Sequence, residues 1–429
     1  MSPPPSIAVL PFANLSGASE HQHFTDGLAE AVRDALAGVR ALRVAPWTSS
    51  LALKDRVADA REAGARLQVA AVLEGTIRKT AARVQLTAQV VNAADGAVLW
   101  SERFDRPGPD VLAMLQDLTR KVLAALGVTP TADEERALAR APTTDVRAYD
   151  SYLRGRQLSR QLLRKSQEYA LQMFEDAVQA DPEFAAAHAG ASICHAMMFQ
   201  YWDSSETHVA AALTAGDRAV VLAPDLVEAR AARGLALSLA KRFDEAEQEF
   251  ATAVERRPDS FDAFYFRARS CRAQGQHAEA AQWFERACAL HPEDYATPAL
   301  LSSVYVSLGR PEEGKAAQRR ALDLATQHLD RFPDDARALY LGAGALATLG
   351  DAGRARAWAK RAVAMDPDDS AVLYNVACAY AILGLRDSAI DCLEQAIANG
   401  FRHWQWIEHD SDLDSLRESP RFRAMLEKR

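Results

Sequence analysis

Between Arg83 and Asn92 apolar and polar residues alternate strictly, with Val84, Leu86, Ala88 and Val90 on one face, the pattern of a half-buried strand. Asn92 to Gly96 carries hairpin-turn chemistry, so residues 97–104 read as the returning strand. Upstream, residues 6–12 (SIAVLPF) read as a buried strand, 14–19 as a polar loop, 42–45 as a short strand and 69–79 as a longer one. Phe24, Leu28, Val32 and Leu36 keep helical spacing and predict a helix over 24–39; further helices are predicted over 57–67 and 109–126. The predicted order is βαβαβββα, a small α/β domain with a mixed sheet.

After residue 146 the period changes to that of helices, and the pattern repeats itself. Residues 227–258 laid over 261–292 coincide at an offset of 34 residues: Gly234 falls on Ala268, Ala246 on Ala280, Phe250 on Phe284, Ala253 on Ala287 and Pro258 on Pro292. That is the period and pattern of a tetratricopeptide repeat, two antiparallel helices per unit. The small residues allow the two helices to cross closely, the phenylalanines fill space between units, and the prolines stop the second helix. Extending the register gives seven repeats over 146–401, the fifth with a lengthened second helix, and predicts an all-α superhelical solenoid. In residues 402–429, Trp404, Trp406, Leu413, Leu416, Phe422 and Leu426 are placed to cover the open end of the last repeat, as solenoid caps do. The expected organisation is an α/β domain over 1–129, a linker over 130–145 with one short helix, repeats over 146–401 and a cap over 402–429.

The first part resembles the TolB-like N-terminal domain of bacterial signalling proteins. The residues that carry the likeness are Ala8–Phe12 (AVLPF), Phe24–Leu28 (FTDGL), Arg43–Ser50 (RVAPWTSS), Val72–Lys79 (VLEGTIRK) and Gln85–Arg106. The closing run GFRHWQWIEHDSDLDSL (Gly400–Leu416) is similar to the end of repeat arrays in that family. The resemblance implies a place among adenylate cyclase and CadC-like signalling proteins, whose TolB-like domain sits between an output domain and a repeat array. A cyclase or winged-helix output domain is absent from this sequence.

The chain has 429 residues and a formal net charge of −8. The first 129 residues hold 14 basic and 13 acidic side chains, so the negative charge lies in the repeats. An acidic body argues against non-specific nucleic-acid binding. No apolar run reaches membrane-spanning length and no signal peptide is visible, so a cytoplasmic protein is expected. Cys194, Cys271, Cys288, Cys378 and Cys392 form no Cys-x-x-Cys pair and read as reduced core thiols. No phosphate-binding or dinucleotide loop occurs, and His21-x-His23 finds no third ligand in reach. Ser16-Gly17 reads as an ordinary surface loop. No catalytic set, metal or cofactor is expected.

The expectation for function is therefore non-enzymatic: a scaffold that binds a protein or peptide in the concave groove, with the regulatory half of a signalling protein as the alternative. The first helix of each repeat lines that groove. The register places Tyr265, Phe266, Arg269, Arg272, Arg337, Tyr340, Tyr374 and Asn375 on it. Tyrosine and arginine are favoured at interface hot spots, and Arg269 and Arg272, one turn apart, suit an acidic group. Ala231, Leu235, Arg269 and Ser303 stand where a chaperone-tail carboxylate clamp needs Lys or Asn, which argues against that partner.

Overall fold

The structure is a computed structural model that describes residues 5–17, 22–54, 56–80 and 82–427, the side chain of Gln405 apart. His21 lies outside the described residues. Contacts divide the chain into two compact units, Met1–Gln157 with Gln172–Ala187, and Leu158–Leu171 with His188–Arg429.

The first unit is built on a six-stranded sheet. Its strands are β1 (Ser6–Val9), β2 (Ala13–Asn14), β3 (Arg43–Val44), β4 (Ala71–Lys79), β5 (Arg83–Asn92) and β6 (Val98–Pro107), in the order β3-β1-β4-β5-β6 with β2 beside β4. β1 pairs in parallel with β3 and β4, whereas β4, β5 and β6 are antiparallel. The sheet is mixed, as the pattern predicted. β1 is buried on both faces, in keeping with its parallel neighbours, and β5 alternates inward and outward. Helices α1 (Gln22–Ala37) and α4 (Val111–Ala125) cover one face, with Phe12, Leu28, Leu36, Leu86 and Leu118 in the core between. α3 (Ala60–Leu67) packs in a smaller cluster with Ala8, Val72 and Val91. A short helix α2 (Trp47–Ala52) fills what the pattern left as a connection.

Residues 130–145, read from sequence as a linker, are fastened rather than loose. Helix α5 (Ala132–Ala139) starts with a capping box of Thr131 and Glu134. Glu134 also accepts the Arg40 amide at 3.0 Å, and Arg120 pairs with Glu135 at 2.8 Å.

Seven helix pairs follow: α6 (Val146–Ser159) and α7 (Arg164–Ala180); α8 (Ala185–Tyr201) and α9 (Glu206–Leu222); α10 (Val227–Leu239) and α11 (Phe243–Arg256); α12 (Phe261–Ala273) and α13 (His277–Leu290); α14 (Ala296–Ser307) and α15 (Pro311–Leu329); α16 (Ala336–Thr348) and α17 (Ala352–Met365); α18 (Ser370–Ile382) and α19 (Arg386–Ala398). The lengthened second helix of the fifth pair is present, 19 residues in α15 against 14 in α13.

The boundary expected at residue 146 falls inside the first unit. Ala148, Tyr149 and Leu153 of α6 are buried in the core that the sheet shares with α1. The Leu153 methyls press against Gly27, where an added Cβ would meet them at 2.8 Å. Charge reinforces the contact. Arg156 pairs with Glu30 at 2.6 Å and Asp34 at 3.1 Å, and Asp150 meets Lys79 at 2.9 Å and His23 at 3.4 Å. Burial raises the Asp150 carboxyl, but hydrogen bonds from His23 and Lys79 outweigh it and hold the acid well below its usual range.

Within the second unit each pair meets at a small residue. A Cβ on Gly234 would lie 2.7 Å from the Phe250 ring, so only glycine lets α10 and α11 pack with that ring between them. Phe250 and Phe284 are fully buried, as are Ala246, Ala253, Ala280 and Ala287. The turn between paired helices needs a left-handed residue. Gly275, Gly309, Gly350 and Gly384 supply it, and Lys241 adopts it at φ 60°. The cap comprises α20 (Trp404–His409), a 3₁₀ turn over Ser411–Leu416 and α21 (Pro420–Glu427). Ile407, Leu413, Leu416 and Phe422 are its buried anchors. Trp404 and Trp406, expected to be the main cover, are only half-buried, because Ile407 is the residue of that helix turned inward.

Two outcomes test this packing. Gly234→Ala should destabilise by roughly 1–3 kcal/mol in chemical denaturation, because the methyl has to displace a fully buried ring. Gly344→Ala, with open space around it, should be neutral or stabilise by about 0.5–1 kcal/mol. Equal effects at both sites would mean that the α10–α11 crossing does not depend on glycine. Separately, the Asp150 contribution is complete above the unfolded carboxylate pKa of about 4 and is lost as pH falls through the lower folded value. Asp150→Asn should therefore flatten the acid limb of a stability-versus-pH profile; an unchanged limb would contradict the pairing.

Candidate functional site

The groove of the second unit is closed upon itself. Trp202, at the end of α8, donates its indole N–H to Asp369 Oδ2 at 2.9 Å across 167 residues. Asp369 is buried, and its other oxygen accepts the Ala371 and Val372 amides at 2.8 and 3.0 Å, capping α18. Ala371 shares a core cluster with Met197, Met198 and Trp202, and the Phe199 ring meets His403 edge-on at 6.2 Å. The second repeat thus touches the seventh, and the first helices of the repeats between them face a confined interior.

That closure explains where the eight groove residues sit. Their side chains were expected on an open face; Tyr265, Phe266, Arg269, Tyr340 and Tyr374 are instead buried, and Arg272, Arg337 and Asn375 half-buried. Five gather in one place. Arg269 is 7% exposed, donates to the Tyr265 hydroxyl at 3.2 Å, and holds its guanidinium 5.4 Å from the Tyr201 ring centroid and 5.5 Å from that of Tyr265. Arg272 follows one turn along α12, and on α16 Arg337 and Tyr340 lie within electrostatic reach of Tyr201, with Arg337 also in reach of Tyr265. The remaining three are engaged elsewhere. Phe266 packs in the repeat core, and the Tyr374 hydroxyl donates to Asp410 at 2.6 Å while its ring stacks on Phe401 at 4.5 Å. The Asn375 amide turns back to the Ala371 carbonyl at 2.8 Å.

The five set arginines among tyrosines: burial lowers Arg269 and Arg337, yet the surrounding tyrosines outweigh it and hold both above the usual guanidinium range. Among the described residues, Arg269, Arg272 and Arg337 have no carboxylate at ion-pair distance. Burial raises the Tyr201 phenol, yet Arg269, Arg337 and Arg272 outweigh it and draw the phenol below its ordinary range. Arg272 is pushed down by burial and by the like charge of Arg269, with Asp410 acting weakly in the other direction. Asp335, the nearby acid at the start of α16, is occupied by the Ala338 amide, the Tyr295 hydroxyl and His328 at 3.0, 3.1 and 2.8 Å.

Sequence reasoning missed Tyr201, Trp202 and Tyr295. The first two close the first helix of the second repeat, since α8 runs through Tyr201. An aromatic pair closing a helix in that repeat was the available signal. At the cap, Cys378 Sγ and carboxylate oxygens of Asp410 and Asp412 lie within 4.8 Å of one another. The Cys378 thiol is raised far above its usual range by burial and by Asp410, which keeps it protonated.

Comparison with known proteins fits the repeat reading. Tetratricopeptide-repeat models match residues 231–295, 300–370 and 370–398. Residues 231–398 are tetratricopeptide repeats. Residues 4–121 match the model of the HilA/YgeH-like transcriptional regulator, second domain. The chain is 36% identical over 245 residues to "Putative adenylate cyclase 3" of Rhizobium meliloti (strain 1021), covering 57% of this chain and 42% of that protein. It therefore spans less than half the length of that relative. Among solved structures, a thermophilic TPR protein of Thermus thermophilus matches at 21% identity, 45% of this chain and 98% of that chain, with a TM-score of 0.36. YrrB, a TPR protein with an unusual peptide-binding site, matches at 21% identity, 44% of this chain and 93% of that chain, with a TM-score of 0.30. No helix among the described residues is long and apolar enough to cross a membrane.

Closure of the interior makes a prediction of its own. Trp202→Phe leaves a buried Asp369 oxygen without its donor and should cost roughly 1–3 kcal/mol. Hydrogen exchange should quicken at both α8 and α18. Faster exchange confined to α8 would show that the two repeats are not coupled through this bond.

Proposed function

We propose that the chain is a non-enzymatic interaction scaffold whose repeat interior receives an acidic segment of a protein partner. The observation that carries the reading is the group Arg269, Arg272 and Arg337, three buried or half-buried guanidiniums with no carboxylate at ion-pair distance among the described residues. Desolvated charge is costly unless paired, so such a group favours an anion delivered from outside. Tyr265 and Tyr340 give the site aromatic walls, in keeping with the tyrosine and arginine content of interface hot spots. The surrounding body is acidic, so the attraction is local and suits a short acidic segment better than nucleic acid.

The setting we propose is bacterial signalling in the cytoplasm, with the N-terminal unit a TolB-like domain. The TolB-like motifs, the HilA/YgeH-like match and the adenylate cyclase relative support it. A second reading, favoured by that relative, makes the chain the regulatory half of a system whose output activity lies in another domain or protein. On either reading the purified chain carries no cyclase activity of its own; reproducible turnover of ATP, abolished by a point substitution within the chain, would contradict both.

The test of the scaffold is capture by the full chain, since α6 is buried in the first unit and truncation at residue 146 would expose it. Fluorescently labelled acidic peptides should bind the wild type and lose about tenfold or more in affinity with Arg269→Ala plus Arg272→Ala, equivalent to roughly 1.4 kcal/mol. Equal binding by both forms would remove the interior from consideration and direct attention to the N-terminal unit.

A further inference from the structure

Arginines without a carboxylate partner are not rare in the second unit: Arg218, Arg286, Arg319, Arg356 and Arg386 also lack one among the described residues. All five are exposed, where water solvates them. Arg269 is buried and Arg272 and Arg337 are half-buried, and they are within electrostatic reach of one another, Arg269 acting on Arg272 and Arg337 on Arg269. Three positive charges in one confined interior repel each other, and neither Arg272 nor Arg337 has a protein hydrogen-bond acceptor among the described residues. The Tyr340 hydroxyl likewise has no hydrogen-bond partner among the described residues. Asp410, the acid whose field reaches Arg272, already accepts the Tyr374 hydroxyl at 2.6 Å.

We propose that this group is a binding site for a phosphoryl dianion, the phosphate of a monoester, held by Arg269, Arg272 and Arg337 with the Tyr340 hydroxyl as a further donor. The inference rests on the reading of the interior as an acid-binding site and narrows its ligand. Charge favours phosphate over carboxylate. A carboxylate supplies one negative charge against three positive ones, whereas a phosphate monoester supplies about 1.5 to 2 near neutral pH. Geometry favours it too. A carboxylate offers two coplanar oxygens, which suit one guanidinium fork; a phosphoryl group offers three oxygens in a tetrahedral spread, which suits donors arriving from both α12 and α16.

The test uses the full chain in phosphate-free buffer, titrated with phenyl phosphate, benzoate, inorganic phosphate, and a peptide in serine, glutamate and phosphoserine forms. Phenyl phosphate should raise the melting temperature and bind at least about tenfold more tightly than benzoate, whose ring is the same and whose charge is single. Arg272→Gln and Arg337→Gln should each weaken phenyl phosphate by roughly tenfold. Without ligand Arg272→Gln should melt at the wild-type temperature or above it, because burial and the like charge of Arg269 both disfavour the cation there. That last result separates a binding role from a structural one. Variants that melt lower and bind phenyl phosphate as well as wild type would overturn the proposal, as would benzoate binding equally tightly. Tighter binding of the phosphoserine peptide than of free phosphate esters would support it with a modified protein as the source, and the reverse order would support it with a small metabolite as the source. Arginine-dependent binding of the glutamate peptide with no response to any phosphate would overturn the phosphoryl assignment and leave the scaffold reading standing. A phosphate response without binding of any peptide would do the opposite.

Discussion

The second unit depends on one steric constraint, the close crossing of paired helices over a residue too small to hold them apart. At Gly234 the ring of Phe250 occupies the space a side chain would need. The same crossing is made at Gly342, where a Cβ would run into the Trp358 ring. Close crossings pitch each repeat against the next, and over the array the second repeat reaches the seventh. The Trp202–Asp369 hydrogen bond is a consequence of that curvature and fixes it. Once the array closes, side chains that a more open solenoid would present to solvent face a confined interior, and their charges are no longer screened by bulk water.

The first unit follows a different constraint. Its sheet is covered on one face by α1 and α4, and the Leu153 side of α6 enters the same core. Gly27 permits the approach, and Arg156, Asp150, Glu30 and Lys79 fix its register. The first helix of the repeat pattern therefore has two allegiances: by sequence it opens the array, and by packing it completes the α/β core. Partly buried charge pairs of this kind specify a docking position, since breaking one leaves its partner poorly solvated.

Most of the fold was legible because it rests on periodicity. The alternation at Val84, Leu86, Ala88 and Val90 located β5, and the 34-residue recurrence located the helix pairs. What was not legible depends on contacts remote in sequence. Nothing local to Trp202 indicates that Asp369 will accept its proton, and nothing in Leu153 indicates that it will pack on Gly27. The same limit applied to the site. Register alone brought Tyr265, Arg269, Arg272, Arg337 and Tyr340 to one surface, but their burial and the participation of Tyr201 follow from curvature. For Tyr374 and Asn375 the register was insufficient, because neighbours at the cap and on α18 occupy their polar groups.

We read the positive charge of the repeat interior as a site for an anion. The most direct measurement is a crystal structure of the full chain soaked with tungstate, a tetrahedral dianion whose metal gives a strong anomalous signal. The expected result is an anomalous peak bounded by Arg269, Arg272 and Arg337, lost in a crystal of the Arg272→Gln, Arg337→Gln double variant. Peaks only at exposed arginines, with the interior empty, would contradict it.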